Sequence, residues 1–297
     1  MPERIDDLAA SFRRHLRAEG RSERTATIYG QAIRFHSAWL VSHGRPATLD
    51  EMTRASIRGW VADLADTHEP STVRTRYKGM RRFCRWLVAE GEIDQDPMTN
   101  LEVPTVQDKP VPVLTDTDLA ALLKACAGKG FNPRRDEVIV RLLLDCGLRV
   151  SELSNLAVGD VDIDREMAIV TGKGNKVRPI YFGARTARAL DRYLRERRRH
   201  RLAHEDALLL SKRGRLSPDG VRDVLHLRGS AAGIADLHPH RFRHTWAHDY
   251  LLAGGQERDL KRLAGWSSDV MLERYGSSAA DVRAREATRR MRRGDRV

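Results

Sequence analysis

Between Glu90 and Thr115 the chain places Gly91, Pro97, Pro104, Pro110 and Pro112 among few apolar residues. Proline fixes φ and lacks a backbone N–H, so no helix runs through such a stretch and extended chain is favoured. A chain of 297 residues interrupted there must build one core on each side. The expected organisation is a first domain over residues 1–104, a linker over 105–114 and a second domain over 115–297. With 41 % apolar residues, both halves can form ordinary cores and neither reads as disordered.

The first half reads as helical. A helix is expected from Ser22 to about Val41, with Ile28, Ala32, Phe35 and Trp39 on its inner face, and a second from Thr53 to Leu64 with Ile57, Val61 and Leu64 inward. A third, Ser71 to Val88, carries an apolar stripe of Val73, Tyr77, Met80, Cys84 and Leu87. Opposite it fall Arg74, Lys78, Arg81, Arg82 and Arg85, with no acid between them on the helix. Five cations without acidic partners would repel one another, which favours a polyanion-facing surface over a merely solvated one.

The second half is mixed. Helices are expected at Thr115–Ala127, where Thr115 and Asp118 form a capping-box variant, and at Asp136–Cys146, where Gly147 supplies the left-handed cap. A short helix at Ser151–Leu156 follows, then strands at Val161–Ile163, Met167–Thr171 and Lys176–Phe182. The last two flank Gly172-Lys173-Gly174-Asn175, a turn sequence that makes a β-hairpin with Lys173 at its tip. Helices resume at about 184–200, 218–229, 240–252, 257–263 and 268–275, followed by an Arg-rich tail long enough for one more helix and frayed at its end.

Charge narrows the partner. The net charge is +12, and residues 1–104 hold 16 Lys/Arg against 15 Asp/Glu, so nearly all of the excess lies in the second half. Such a field points to a polyanion, most often nucleic acid. Cys84, Cys126 and Cys146 are far apart and form no CxxC, which argues against a zinc ribbon or a disulfide framework. No apolar run reaches membrane-span length and the first residues show no secretory pattern, so a cytoplasmic protein is expected.

Four short segments could carry chemistry. They are Gly147-Leu148-Arg149-Val150-Ser151-Glu152-Leu153, the hairpin tip around Lys173, His240-Arg241-Phe242-Arg243-His244, and Leu263-Ala264-Gly265-Trp266 with Tyr275 nine residues on. Each alone is weak, since a lone Arg, Lys or Tyr usually serves packing or solvation. As a set they fit phosphoryl transfer at a DNA diester. Two guanidiniums clamp the non-bridging oxygens without a metal, a hairpin lysine protonates the leaving oxygen, and a tyrosine attacks phosphorus. Two other readings compete. His240, His244 and His248 recur every four residues, with His238 nearby, and could hold zinc in a metal-dependent hydrolase. Against this, no Glu follows the first His and no carboxylate cluster stands beside them. A non-catalytic, sequence-specific DNA-binding protein would explain the charge but not the ordered set of reactive residues.

The order and spacing of these segments resemble the tyrosine recombinases, the family of Xer recombinases, Cre and the phage integrases, across nearly the whole chain. The resemblance extends to the helix from Ser22 through Thr25 and Tyr29, and to the basic helix from Ser71. It implies a mainly α fold with a small antiparallel β-hairpin or sheet in the catalytic domain. A helical, SAM-like core-binding domain would precede an α+β catalytic domain, the two closing on duplex DNA as a C-shaped clamp. It further implies Arg149 and Arg243 as phosphate clamps, Lys173 as general acid with Lys176 as fallback, and His240 in acid–base work. Glu152 and His244 would support them, and Tyr275 would be the nucleophile. No cofactor or metal is implied. The implied partners are a double-stranded recombination site and three further subunits, identical or paralogous, in a tetramer on DNA. Type IB topoisomerases share the same residue roles. One departure stands out: Xer proteins commonly carry His where this chain has Trp266, as Cre-like members do. An indole can donate a hydrogen bond or pack, but it cannot shuttle a proton.

Overall fold

The computed structural model describes residues 3–102, 112–172, 174–266 and 268–296, with residues 270, 273–279, 281, 293 and 296 described by backbone alone. The chain divides into two compact units, Met1–Lys109 and Pro110–Val297. Most of the expected linker, residues 105–111, lies outside the described residues.

The first unit is built from α1 (Ile5–Ala18), α2 (Glu23–Ser42), α3 (Arg54–Thr67) and α4 (Pro70–Glu90). Helix α1 is not among the expected elements, although Ile5, Leu8, Phe12 and Leu16 recur at helical spacing and are all buried. Ser22 caps α2 by accepting a hydrogen bond from the Thr25 N–H, at 3.2 Å. Helix α2 corrects the expected inner face. Its core side is Ala26, Ala32, Ile33, His36, Ser37 and Leu40, while Phe35 is 44 % exposed beneath the Arg76 guanidinium, 4.0 Å from the ring centroid. Two polar residues on the buried side move the apparent stripe by one position. In α3, Ile57, Trp60 and Leu64 are buried and Val61 is only half-buried. Helix α4 buries the expected Val73, Tyr77, Met80, Cys84 and Leu87, and adds Phe83 and Trp86. Phe12 of α1 packs on both of the latter, with ring centroids 5.3 and 5.4 Å away.

His36 is fully buried between Trp39 and Trp60, and neither ring nitrogen finds a hydrogen-bond partner. Burial, aided by the nearby Arg45 charge, pushes its imidazole down from 6.5 to about 4. The unfolded chain therefore takes a proton near pH 6.5 that the folded chain refuses until about pH 4. Stability of the first unit should fall as pH drops through that window, by up to about 3 kcal/mol. His36→Leu should flatten this limb of a denaturation-versus-pH series. An unchanged limb in that variant would assign the loss to other groups.

The second unit contains α5 (Asp116–Ala125), α6 (Phe131–Cys146), α7 (Val150–Asn155), β1 (Val161–Asp162), β2 (Met167–Thr171), β3 (Val177–Tyr181), α8 (Ala184–Arg197), β4 (Leu210–Ser211), β5 (Gly214–Arg215), α9 (Pro218–Ala231), α10 (Pro239–Leu252), α11 (Glu257–Ala264) and α12 (Asp269–Met291). Thr115 and Asp118 form the expected reciprocal cap of α5, at 3.1 and 2.9 Å. Helix α6 begins five residues earlier than expected. Asp136 lies within it as a buried carboxylate that accepts from Arg135 and from Arg228 of α9. Strands β1, β2 and β3 form an antiparallel sheet in that order, with Thr171 opposite Val177 at the hairpin end. The β4–β5 hairpin is an addition to the expected elements. The main core gathers Val138, Ile139, Val140, Leu142 and Leu143 of α6 with Leu153, Val170, Ile180 and Leu190. A smaller cluster, Ala247, Leu251, Leu260, Ala264 and Trp266, seats Met271 and Leu272 at the start of α12. Among the described residues, no helix is long and apolar enough to cross a membrane.

Candidate active site

The first arginine segment is shaped by its glycine. Gly147 ends α6 at φ 55°, and a Cβ there would lie 2.2 Å from the Trp246 ring, so the position admits no other residue without rebuilding the turn. The turn sends Leu148 into the core and leaves Arg149 at the N-cap of α7. The Arg149 backbone N–H donates to Glu152 Oε2 at 2.9 Å, and its Nη1 to Oε1 at 2.7 Å. About a third of the Arg149 side chain stays exposed, whereas Glu152 is buried.

Helix α10 starts with His238 as N-cap and Pro239 in the first turn. One turn in, Arg243 is buried and donates to the carbonyls of Gly147 and Ala264, both at 2.6 Å. Its guanidinium stands 5.2 Å from the centroid of the buried Trp266 ring, a cation–π arrangement. The indole thus packs against the second arginine.

Helix α11 ends in a left-handed Gly265, φ 64°. Its last carbonyls are the negative end of a helix and lack partners within it. Here three successive ones each accept from a different arginine. Leu263 O accepts from Arg178 Nε at 2.7 Å, Ala264 O from Arg243 Nη2 at 2.6 Å, and Gly265 O from Arg149 Nη2 at 3.1 Å. A Cβ at Gly265 would come within 3.3 Å of the Arg178 guanidinium and 3.6 Å of that of Arg149. The segments around residues 149, 243 and 265, scattered over more than a hundred positions, are therefore one cluster.

Arg178 is not among the residues that the sequence singles out. It lies on β3 and forms a two-pronged pair with Glu152, both hydrogen bonds 2.9 Å. Burial pushes the Glu152 carboxyl up, but the Arg178 hydrogen bonds, with those from Arg149, hold it below the usual range. The signal that could have found it is strand alternation. Residue 178 shares its face with buried Ile180, and an inward arginine needs an acidic partner.

The hairpin meets the cluster through Gly172, where a Cβ would lie 3.3 Å from Glu152 Oε1. Lys173 lies outside the described residues; Lys176 is exposed, and its carbonyl accepts from the Gly172 N–H at 2.8 Å. His240 is exposed in the first turn of α10, one turn from Arg243, and His244 is buried. Among the described residues, no group of three or more His, Cys, Asp or Glu side chains is placed to hold a metal ion. Tyr275 lies in α12, which does not stop there as expected but continues to Met291; its side chain is outside the described residues.

The basic stripe of α4 needs correction. Arg82 has an acidic partner after all, Glu19 at the end of α1, and Arg85 stands 4.0 Å from Asp96. The acids come from other segments, so the helix sequence alone hides them. Among the described residues, Arg74, Lys78 and Arg81 make no ion pair.

The chain is similar to known proteins over most of its length. Residues 112–281 match the phage integrase family, and residues 9–91 match the phage integrase N-terminal SAM-like domain. The tyrosine recombinase XerC of Mycobacterium tuberculosis (strain ATCC 25177 / H37Ra) is 34 % identical over 266 residues, covering 86 % of this chain and 88 % of that protein. Among solved structures, the Tn1549 transposon integrase in complex with a circular intermediate DNA superposes with a TM-score of 0.74 at 16 % identity, over 96 % of this chain and 99 % of that one. The XerH site-specific recombinase bound to its palindromic difH substrate gives 0.73 at 14 % identity, over 89 % and 79 %. The chain belongs to the phage integrase family of tyrosine recombinases.

Proposed function

We propose that Tyr275 attacks a scissile phosphate held by Arg149 and Arg243, in an enzyme that recombines DNA site-specifically. Its phenol proton goes to His240. The bond from phosphorus to the 5′ oxygen breaks, and Lys173 protonates that oxygen, leaving the enzyme joined to the 3′ end. A 5′-hydroxyl from a partner duplex then attacks the phosphotyrosyl ester and frees the tyrosine, so no external energy source is needed. A second round of exchange resolves the Holliday junction. Trp266 packs beneath Arg243, and Glu152 and His244 support the two clamps. The observation that carries the reading is the meeting of Arg149 and Arg243 on adjacent carbonyls beside Trp266, with the hairpin turn against Glu152.

In this reading each unit contributes to binding a duplex recombination site, and four subunits, identical or paralogous, assemble on two sites in the cytoplasm. The likeness to XerC proteins favours Xer-like resolution of chromosome or plasmid dimers over mobile-element integration. Incubation with a nicked site in EDTA should trap a covalent 3′-phosphotyrosyl adduct. Binding without any adduct would favour a non-catalytic DNA-binding protein, and activity lost in EDTA a metal enzyme.

The cations of α4 that make no ion pair among the described residues supply part of the grip. Neutralising Arg74, Lys78 and Arg81 one at a time should each lower the log–log salt slope of DNA binding by about 0.9. Arg82, already paired, should change it less. An unaltered slope for the first three would make that face solvated only.

A further inference from the structure

We propose that Arg178 is a positioning residue for strand cleavage: it holds Glu152, and through it Arg149 and the hairpin turn, in the arrangement that phosphoryl transfer needs. The inference rests on Arg149 being a phosphate ligand.

The two arginines around Glu152 are used differently. Arg178 directs Nε to Leu263 O, and Nη1 and Nη2 to the two oxygens of Glu152, and its side chain is 12 % exposed. Each of its three nitrogens thus donates within the protein. Arg149 is the more open of the two and gives Nη1 to Glu152 and Nη2 to Gly265 O. Each Glu152 oxygen accepts twice: Oε1 from Arg149 Nη1 and Arg178 Nη1, Oε2 from the Arg149 backbone N–H and Arg178 Nη2. The carboxylate is thus filled, and Arg149 is held at both its backbone and its guanidinium. Arg178 also ties three segments together, because it sits on the return strand of the Lys173 hairpin and reaches both α7 and the end of α11.

The consequence of removal follows from burial. Among the described residues, the charged groups facing Glu152 are Arg149 at the start of its own helix and Arg178 from β3; the hairpin turn presents Gly172, which has no side chain. Without Arg178, burial is offset by Arg149 alone, and the carboxyl should take up a proton at a pH where the wild type remains ionised. A neutral Glu152 then loosens Arg149, and a misplacement of about 1 Å in a phosphate clamp costs about 10²-fold in rate.

The test compares wild type, Arg178→Met, Arg178→Lys and Arg149→Ala in single-turnover adduct formation on a saturating nicked site, from pH 5 to 9. Arg178→Met should cleave about 10²-fold more slowly. Its DNA affinity and salt slope should match wild type, and its rate should gain an acid limb that Glu152→Gln, added to it, removes. Arg178→Lys, which keeps the charge but not the fork, should be intermediate without that limb. A wild-type rate in Arg178→Met overturns the inference. So does a salt slope reduced by about 0.9, which would make Arg178 itself a phosphate contact. Slow cleavage with no acid limb, matched by equal losses of binding and melting temperature, would reduce Arg178 to a purely structural role. An Arg149→Ala variant as fast as wild type would instead strike at the phosphate-ligand reading beneath it.

Discussion

Tyr275→Phe should bind its recombination site with wild-type affinity and yield no covalent adduct at any incubation time. The substitution removes one oxygen. Phenylalanine and tyrosine have similar helix propensities, so α12 should persist through position 275. Without a nucleophile no step of the cycle can begin, so the expected loss is complete rather than graded. Denaturing electrophoresis of a labelled nicked duplex reads it directly. A surviving adduct would move the nucleophile to another hydroxyl and refute the assignment.

Arg149→Ala should lower the cleavage rate by about 10²–10³-fold, the range for deleting one preorganised donor to a developing oxyanion. It should do so without unfolding the protein, because Glu152 keeps its two-pronged pair with Arg178. Arg149→Lys should recover little, since a single ammonium cannot reach Glu152, Gly265 O and a phosphate with the guanidinium's fixed fork. Arg243→Ala provides the contrast. Its buried guanidinium serves the carbonyls of Gly147 and Ala264, and leaving these unpaired costs about 1–3 kcal/mol each. That variant should lose both cleavage and melting temperature, whereas Arg149→Ala loses mainly cleavage. Equal destabilisation of the two would mean that Arg149 is principally a structural residue.

The segments around Arg149, Arg243 and Trp266 are legible in the sequence because their chemistry is local: a glycine cap, a helix start, a helix end. What joins them is not. Arg178 stays hidden because its partners, Glu152 and Leu263 O, are 26 and 85 positions away. The pairing of Arg82 with Glu19 escapes for the same reason, at 63 positions. The inner face of α2 is misplaced because His36 and Ser37, both polar, are buried there while Phe35 is exposed under a cation. Helix α1, by contrast, is legible at Ile5, Leu8, Phe12 and Leu16, and its absence from the expected elements has no physical excuse. The helical character of the Arg-rich stretch beyond Tyr275 is legible from its length, but its unbroken continuation of α12 is not, because charge there masks the helical period.

The grip of three arginines on the end of α11 has an electrical meaning. Arg149 and Arg178 each divide their donors between Glu152 and a neutral carbonyl, and Arg243 gives two of its own to carbonyls. Carbonyl dipoles orient a guanidinium without cancelling its charge. Three guanidiniums and one carboxylate therefore sum to two positive charges in this cluster. A phosphodiester brings one negative charge, and its five-coordinate transition state about two. The match improves as the reaction climbs its barrier, so the backbone of α11 favours the moment of bond exchange over the resting substrate.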